Sequence, residues 1–242
     1  MDEEQREGTE RLRQIVAGMK RGVFFGGAGV STESGIPDFR SQDGLYRQKY
    51  KYPPETILSR TFFDRHTAEF FAFYRDKMLC LSAEPNAAHK KLARWEAEGK
   101  LAAVVTQNID GLHQKAGSRR VFELHGSVLR NFCMDCGRSY PVSAVAEGTG
   151  IPRCACGGVI KPDVVLYEEP LDAATLEGAV RAIRAADVLI VGGTSLNVYP
   201  AAGLIDYFEG DRLVVVNRGA PARAVPGCLF VNGKIGEVFS AL

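Results

Sequence analysis

Val23-Phe24-Phe25-Gly26-Gly27-Ala28-Gly29 is a short apolar run that empties into glycines. Consecutive large apolar residues without polar alternation predict a strand buried on both faces, as in a parallel sheet covered by helices. A glycine turn that leaves such a strand and opens a helix offers free backbone N–H groups to a pyrophosphate. The match to the dinucleotide fingerprint is partial, because Gly27 and Gly29 supply its first two glycines and Thr32 takes the third position. No strand ending in Asp or Glu follows about 20 residues later, where a hydride-transferring dehydrogenase grips its ribose. The turn by itself is compatible with nucleotide binding of another kind or with a plain tight turn.

Working outward, Leu12, Ile15, Val16 and Met19 recur at helical spacing within residues 4–20. Downstream, the polar stretch 34–54 is too long for an ordinary connection, and loops of that size are usually functional. Helical patterns resume over 64–79 and 86–98, the second announced by Pro85. Strands are expected at 101–105, 121–124, 188–191 and 213–216, and helices near 173–186 and 200–208. Strands alternating with helices imply right-handed βαβ units and a doubly wound parallel sheet. A cysteine-bearing segment interrupts the alternation over 128–161.

The chain has 242 residues and a mass of 26.4 kDa, enough for one large α/β domain with inserts. Its 30 basic and 29 acidic side chains leave a net charge of +1, which provides no field for non-specific nucleic acid binding. No uncharged apolar run reaches the roughly 18 residues that span a bilayer, and Met-Asp-Glu-Glu-Gln-Arg at the start has no hydrophobic signal core. A cytoplasmic protein without membrane contact is expected.

Four of the six cysteines fall together: Cys133, Cys136, Cys154 and Cys156. In a reducing compartment such a cluster holds metal more readily than it forms disulfides. Two residues separate the first pair, one the second, and 17 lie between the pairs, a spacing that fits a zinc ribbon. Four thiolates leave no open coordination position, so the site is read as structural. The segment 131–153 holds only two arginines, Arg138 and Arg153, and no lysine, which disfavours a phosphate-tracking role. Cys80 and Cys228 stand apart in apolar surroundings and are read as small buried hydrophobes.

Polar groups gather where strands are expected to end. His125, followed by Gly126, can serve as a general base at neutral pH. Asn108 and Asp110 follow another strand, with His113 nearby, and Asp38 and Arg40 stand in the loop after the glycine turn. His66 and His89 fall in helical stretches and read as surface or capping residues. Gly192-Gly193-Thr194-Ser195 and Asn217 close two further strands. Ligands of open α/β sheets collect outside the carboxyl ends of the strands, and a dinucleotide has the length to touch all these positions.

Taken in order, Gly27-Ala28-Gly29-Val30-Ser31, Ser34-Gly35-Ile36-Pro37-Asp38-Phe39-Arg40, Thr106-Gln107-Asn108-Ile109-Asp110 with Leu112-His113, His125-Gly126, the four cysteines, Lys161-Pro162 with Val164-Val165, and Gly193-Thr194-Ser195-Leu196 resemble the sirtuins, NAD-dependent protein lysine deacylases, of bacterial or archaeal type. The likeness runs from about Arg11 to Phe239. It implies a Rossmann-like NAD-binding domain over 1–40, 86–127 and 164–242, a helical insert with a cofactor-binding loop over 41–85, and a zinc-ribbon domain over 128–163. NAD as co-substrate, one structural zinc ion, acetylated lysine peptides or proteins as partners, and a monomer are implied with it. By the same resemblance, nicotinamide is expelled as the acyl oxygen attacks the ribose, and His125 then deprotonates a ribose hydroxyl, yielding O-acetyl-ADP-ribose. Asn108 and Asp110 would shape the nicotinamide pocket with Ile109 and Phe39. Gly27, Ala28, Gly29, Thr32, Asp38, Arg40, Gln107, Gly193, Thr194, Ser195, Asn217 and Ile235 would contact NAD, and Val165, Tyr167, Asn197 and Val198 the substrate.

Departures from the family pattern are Gly26 in place of threonine, the shortened Cys154-Ala155-Cys156, and Leu166-Tyr167-Glu168-Glu169 in place of Phe-Gly-Glu. Members that prefer acidic acyl groups carry a Tyr-x-x-Arg pair, and here Phe71 and Tyr74 align with it, which favours a neutral acyl group such as acetyl. The competing readings are a deacylase for longer neutral chains, a hydride-transfer enzyme with structural zinc, and a non-catalytic zinc-ribbon peptide-binding adaptor.

Overall fold

The computed structural model describes residues 3–38, 51–220 and 225–242. Its strands are β1 Gly22–Gly26, β2 Leu101–Thr106, β3 Val121–Glu123, β4 Gly126–Cys133, β5 Ser139–Pro141, β6 Ile160–Val164, β7 Val188–Gly192, β8 Arg212–Asn217 and β9 Leu229–Asn232. The helices are α1 Glu3–Ala17, α2 Pro54–Ile57, α3 Arg60–Arg65, α4 Thr67–Lys77, α5 Ala87–Ala97, α6 Leu112–Lys115, α7 Ser143–Ala146, α8 Ala173–Arg184 and α9 Ile235–Ser240.

Six strands form one parallel sheet in the order β3-β2-β1-β7-β8-β9. Alternation along β1 sends Phe24 to one face and Val23 and Phe25 to the other. On the first face Leu12 and Val16 of α1, Leu92 and Trp95 of α5, and Val238 and Phe239 of α9 cover Phe24, Val104, Ile190 and Val214. On the second, α8 and a 3₁₀ helix at Ala201–Tyr207 lay Ala179, Ile183, Ala201 and Leu204 on Val23, Phe25, Val105 and Leu189. This is the doubly wound sheet expected from the alternation of elements. The chain leaves β1 toward β2 on one side and returns to β7 on the other. The switch point therefore lies between β1 and β7, whose terminal Gly26 and Gly192 pair in register.

Some elements differ from expectation. The 64–79 stretch breaks at His66, whose φ of −130° ends α3 and starts α4. Residues 201–207 wind as a 3₁₀ helix, and two single 3₁₀ turns, Ala28–Val30 and Thr32–Ser34, replace a long helix after the glycine turn. The strand β9 and helix α9 were not foreseen. Only Val231 is buried in β9, so the strand carries almost no periodic signal.

A second, antiparallel sheet, β5-β4-β6, carries the cysteine segment. It has no core to itself. Phe62, Phe63, Phe70, Phe71, Phe73 and Tyr74 from α3 and α4 pack into one cluster with Val128, Val145, Ile160, Val164 and Leu166. Phe63 and Phe70 meet edge to face with ring centroids 4.9 Å apart. Phe71 and Tyr74, the residues aligned with the acidic-acyl pair, are both fully buried in this cluster. Among the described residues, no helix is long and apolar enough to cross a membrane.

Candidate active site and metal centre

The two glycine-rich strand ends interlock. The Gly27 N–H donates to the Gly192 carbonyl at 3.3 Å and the Gly29 N–H to the Gly193 carbonyl at 2.8 Å. A Cβ on Gly29 would stand 2.8 Å from the Gly193 oxygen, and one on Gly193, whose φ is +60°, 2.4 Å from the Val30 nitrogen. Glycine is needed at both places because backbone meets backbone there. The end of β2 is tied to the same spot. The Gln107 N–H donates to the Gly26 carbonyl at 3.0 Å, and Gln107 Nε2 donates to Thr194 Oγ1 at 3.2 Å.

Above these ends opens a cleft of about 1330 Å³. Its walls bring together Gly27, Ala28, Gly29, Thr32, Asp38, Gln107, Asn108, Ile109, Asp110, His125, Val165, Tyr167, Gly193, Thr194, Ser195, Val198, Asn217 and Ile235. Asn197, an expected substrate contact, is exposed and does not line the cleft. Phe39 and Arg40 lie outside the described residues.

His125 stands at the junction of β3 and β4. Its Nδ1 is 3.0 Å from the Gln107 carbonyl oxygen, an acceptor that requires the proton on Nδ1 and leaves Nε2 as the basic nitrogen. Burial pulls the imidazole below its ordinary value, partly opposed by that hydrogen bond, so the ring is neutral at pH 7. Gly126 follows at φ +75°, and a Cβ there would stand 2.0 Å from the Asp163 oxygen. This close pairing with β6 seats Val165, whose N–H donates to the His125 carbonyl at 3.0 Å.

Asn108 and Asp110 are held by a residue that sequence reasoning left out of the site. Buried Ser31 donates its hydroxyl proton to Asp110 Oδ2 at 2.6 Å and accepts from Asn108 Nδ2 at 3.0 Å. Asp110 Oδ1 also accepts the Leu112 N–H at 2.9 Å. The only signal for this role was a hydroxyl next to the glycine turn. Glu33 and Cys80 line the cleft as well. Cys80 and Cys228 are half-buried, less enclosed than their reading as small buried hydrophobes expects.

His89 is no surface residue. It is fully buried at the start of α5, where its Nδ1 accepts the Asn86 N–H at 3.3 Å in a capping box, and it tilts against His113 with ring centroids 4.8 Å apart. His66 is exposed, as expected of a helix-end residue.

The Sγ atoms of Cys133, Cys136, Cys154 and Cys156 all lie within 4.8 Å of one another, the nearest pairs at 3.5 Å and 3.6 Å. A disulfide needs about 2.05 Å, whereas a tetrahedral zinc with bonds of about 2.3 Å spaces its sulfurs by about 3.8 Å. The donor set therefore fits one structural zinc, and the single residue between Cys154 and Cys156 does not prevent it. Tyr140 donates its hydroxyl proton to Cys154 Sγ at 2.9 Å, an outer-shell contact to the thiolate.

Residues 27–200 match the family model described as Sir2 family. The chain is 57% identical over 235 residues to an NAD-dependent protein deacetylase of Clostridium acetobutylicum, covering 96% of each. It is similar to a solved structure described as Sir2–p53 peptide–NAD+, with 36% identity, a TM-score of 0.84 and 96% of each chain covered. A Sir2 variant solved with deacetylated p53 peptide and 3′-O-acetyl ADP ribose aligns with a TM-score of 0.87 at 36% identity, again over 96% of each chain.

Proposed function

Because the chain belongs to the Sir2 family, we infer that it is an NAD-dependent protein lysine deacetylase, which moves the acetyl group of acetyl-lysine onto ADP-ribose and releases nicotinamide. The observation that carries this reading is His125, with Nδ1 committed to Gln107 and Nε2 left basic, in the cleft that also holds the glycine turns, Asn108 and Asp110.

NAD supplies the acceptor, an ADP-ribosyl group whose nicotinamide can leave. The residues present suit it. Gly27, Ala28, Gly29, Thr32, Gly193, Thr194 and Ser195 offer small side chains, backbone N–H groups and hydroxyls to the phosphates and riboses. Asn217 and Ile235 sit beside the end of β8 for the adenosine portion, and Asp38 and Gln107 join the NAD contacts, a role the family resemblance also gives to Phe39 and Arg40. Asn108, Ile109 and Asp110 bind the nicotinamide, where Ser31 keeps the polar groups aimed. Nε2 of His125 takes the proton from a ribose hydroxyl so that it can attack the activated acyl carbon. Val165, Tyr167 and Val198 flank the acyl-lysine.

Val128 and Leu129 of the zinc ribbon, 128–163, and Leu58, Met78 and Leu81 of the insert, 41–85, line the cleft together with the NAD-binding domain of 1–40, 86–127 and 164–242. We assign the protein to the cytoplasm as a monomer; its six cysteines form no disulfide, in keeping with a reducing compartment. Leu58, Met78, Val128, Val164 and Leu166 make part of the cleft apolar, which favours a neutral acyl group and gives longer neutral chains as the second reading. Mass spectrometry of reactions with acetyl-, propionyl- and longer acyl-lysine peptides tests both. One nicotinamide and one O-acyl-ADP-ribose should form for each lysine released, and turnover without NAD would overturn the assignment.

A further inference from the structure

Lys161 is an ammonium group placed where a core residue would be expected. Its side chain is 5% exposed, and Nζ donates to the Val164 carbonyl at 2.9 Å, to Glu169 Oε2 at 3.1 Å and to the Pro162 carbonyl at 3.3 Å. The same Glu169 oxygen accepts the Leu166 N–H at 2.9 Å, while Glu169 Oε1 receives Arg60 Nη1 at 3.2 Å. An aliphatic side chain would fill this space without the desolvation cost of a buried charge pair. What the pair adds is direction, because its bonds join the Pro162 and Val164 carbonyls at the end of β6, the Leu166 N–H just past it and Arg60 of α3.

That stretch has little regular pairing to hold it. Beyond Val164 the Val165 N–H reaches the His125 carbonyl, the Tyr167 N–H reaches the Leu58 carbonyl, and the Arg60 N–H reaches the Tyr167 carbonyl, each at 3.0 Å. Glu168 is left-handed at φ +75°, a conformation unfavourable for a residue with a Cβ, and its carboxylate accepts the Thr61 N–H at 2.8 Å. Val165 and Tyr167 both line the cleft from this stretch.

We propose that Lys161 and Glu169 are positioning residues, whose ion pair fixes residues 164–169 as the wall against which the acyl-lysine is aligned. The proposal rests on the deacetylase reading. The bonds of the pair go to Pro162, Val164, Leu166 and Arg60 rather than to His125 or an NAD contact, so it sets peptide recognition rather than the chemical step.

Steady-state kinetics of the full chain with an acetyl-lysine peptide and NAD test it. Lys161→Met and Glu169→Gln should each raise the peptide KM by about tenfold, while kcat at saturating peptide and the KM for NAD stay within about threefold. Lys161→Arg, which keeps the charge, should recover most of the loss. An unchanged peptide KM, or a fall in kcat at constant KM, would overturn the positioning role. If Lys161→Met does not fold, Arg60→Gln removes the donor to Glu169 Oε1 together with the exposed pair to Asp64 and should still raise the peptide KM about threefold or more, whereas Asp64→Asn, which removes only that exposed pair, should not. No change with Arg60→Gln overturns the proposal equally. Wild-type protein that shows no NAD-dependent turnover would refute the deacetylase reading instead, so the two failures are distinct.

Discussion

His125 Nδ1 lies 3.0 Å from the carbonyl oxygen of Gln107, the residue that also ties the end of β2 to Thr194. One backbone oxygen thus sets the tautomer of the proposed base, and the same residue bonds to the second glycine turn. His125→Ala should lower deacetylation by about 10²-fold or more, with binding of acetyl peptide and NAD kept within about threefold. Calorimetric titration beside turnover measurement checks this, and a variant that remains active would remove His125 from the chemistry.

The pH profile follows from the same residue. Burial lowers the His125 pKa, so the neutral, proton-accepting ring persists below the ordinary histidine range of about 6.5. Activity should hold from pH 8 through pH 7, with its half-point falling below the ordinary histidine value of about 6.5. A kcat/KM profile that already halves above pH 7 would contradict this environment.

Ser31→Ala should act through Asn108 and Asp110. It removes the hydroxyl that donates to Asp110 and accepts from Asn108, leaving two polar groups short of a partner at a cost of about 1–3 kcal/mol. If that cost falls on the active arrangement, kcat/KM drops by about tenfold or more. Exchange of labelled nicotinamide into NAD should fall in parallel, since the affected groups are assigned to the nicotinamide.

His89 and His113 predict acid sensitivity of the fold. Burial pushes them down to about 4 and about 3, the nearby His89 charge adding to the effect on His113 and Asp110 opposing it for His89. The unfolded chain takes up protons below about pH 6.5 while the folded chain does not, so stability present above that pH is lost as pH falls toward 4. Denaturant titrations from pH 7 to pH 4 should show the decline, and His113→Phe should flatten it.

Metal removal should act on shape. Purified protein should carry one zinc per chain, and Cys133→Ala should lose it together with thermal stability and peptide turnover. Metal analysis and melting curves check this; a soluble, zinc-free variant of full activity would refute the structural role.

Local composition made much of this molecule legible. The run 23–29 announces a buried strand and a close backbone approach, and the cysteine spacing announces a metal site, because both depend on residues near one another in the chain. The strand ends bearing Asn108, His125, Thr194 and Asn217 could be named from periodicity, although their convergence could not. His89 does cap its helix, one of the two roles its position suggests, but its burial is not legible locally because His113, which packs on it, comes from a distant segment. The weakly patterned β9 escaped notice for a related reason, since most of its residues stay partly exposed.

Hydrophobic period, ligand spacing and ordered motifs suffice to read the doubly wound sheet, the four-thiolate centre and the residue types available for NAD-dependent chemistry from the chain. Tertiary structure alone decided that Ser31 joins Asn108 to Asp110, that Asn197 stands outside the cleft, that Phe71 and Tyr74 are core, and that Lys161 and Glu169 share a buried bond. Hydrogen bonds and burial between remote segments depend on how the layers close on one another, and no one-dimensional pattern encodes the 3 Å distances on which they turn.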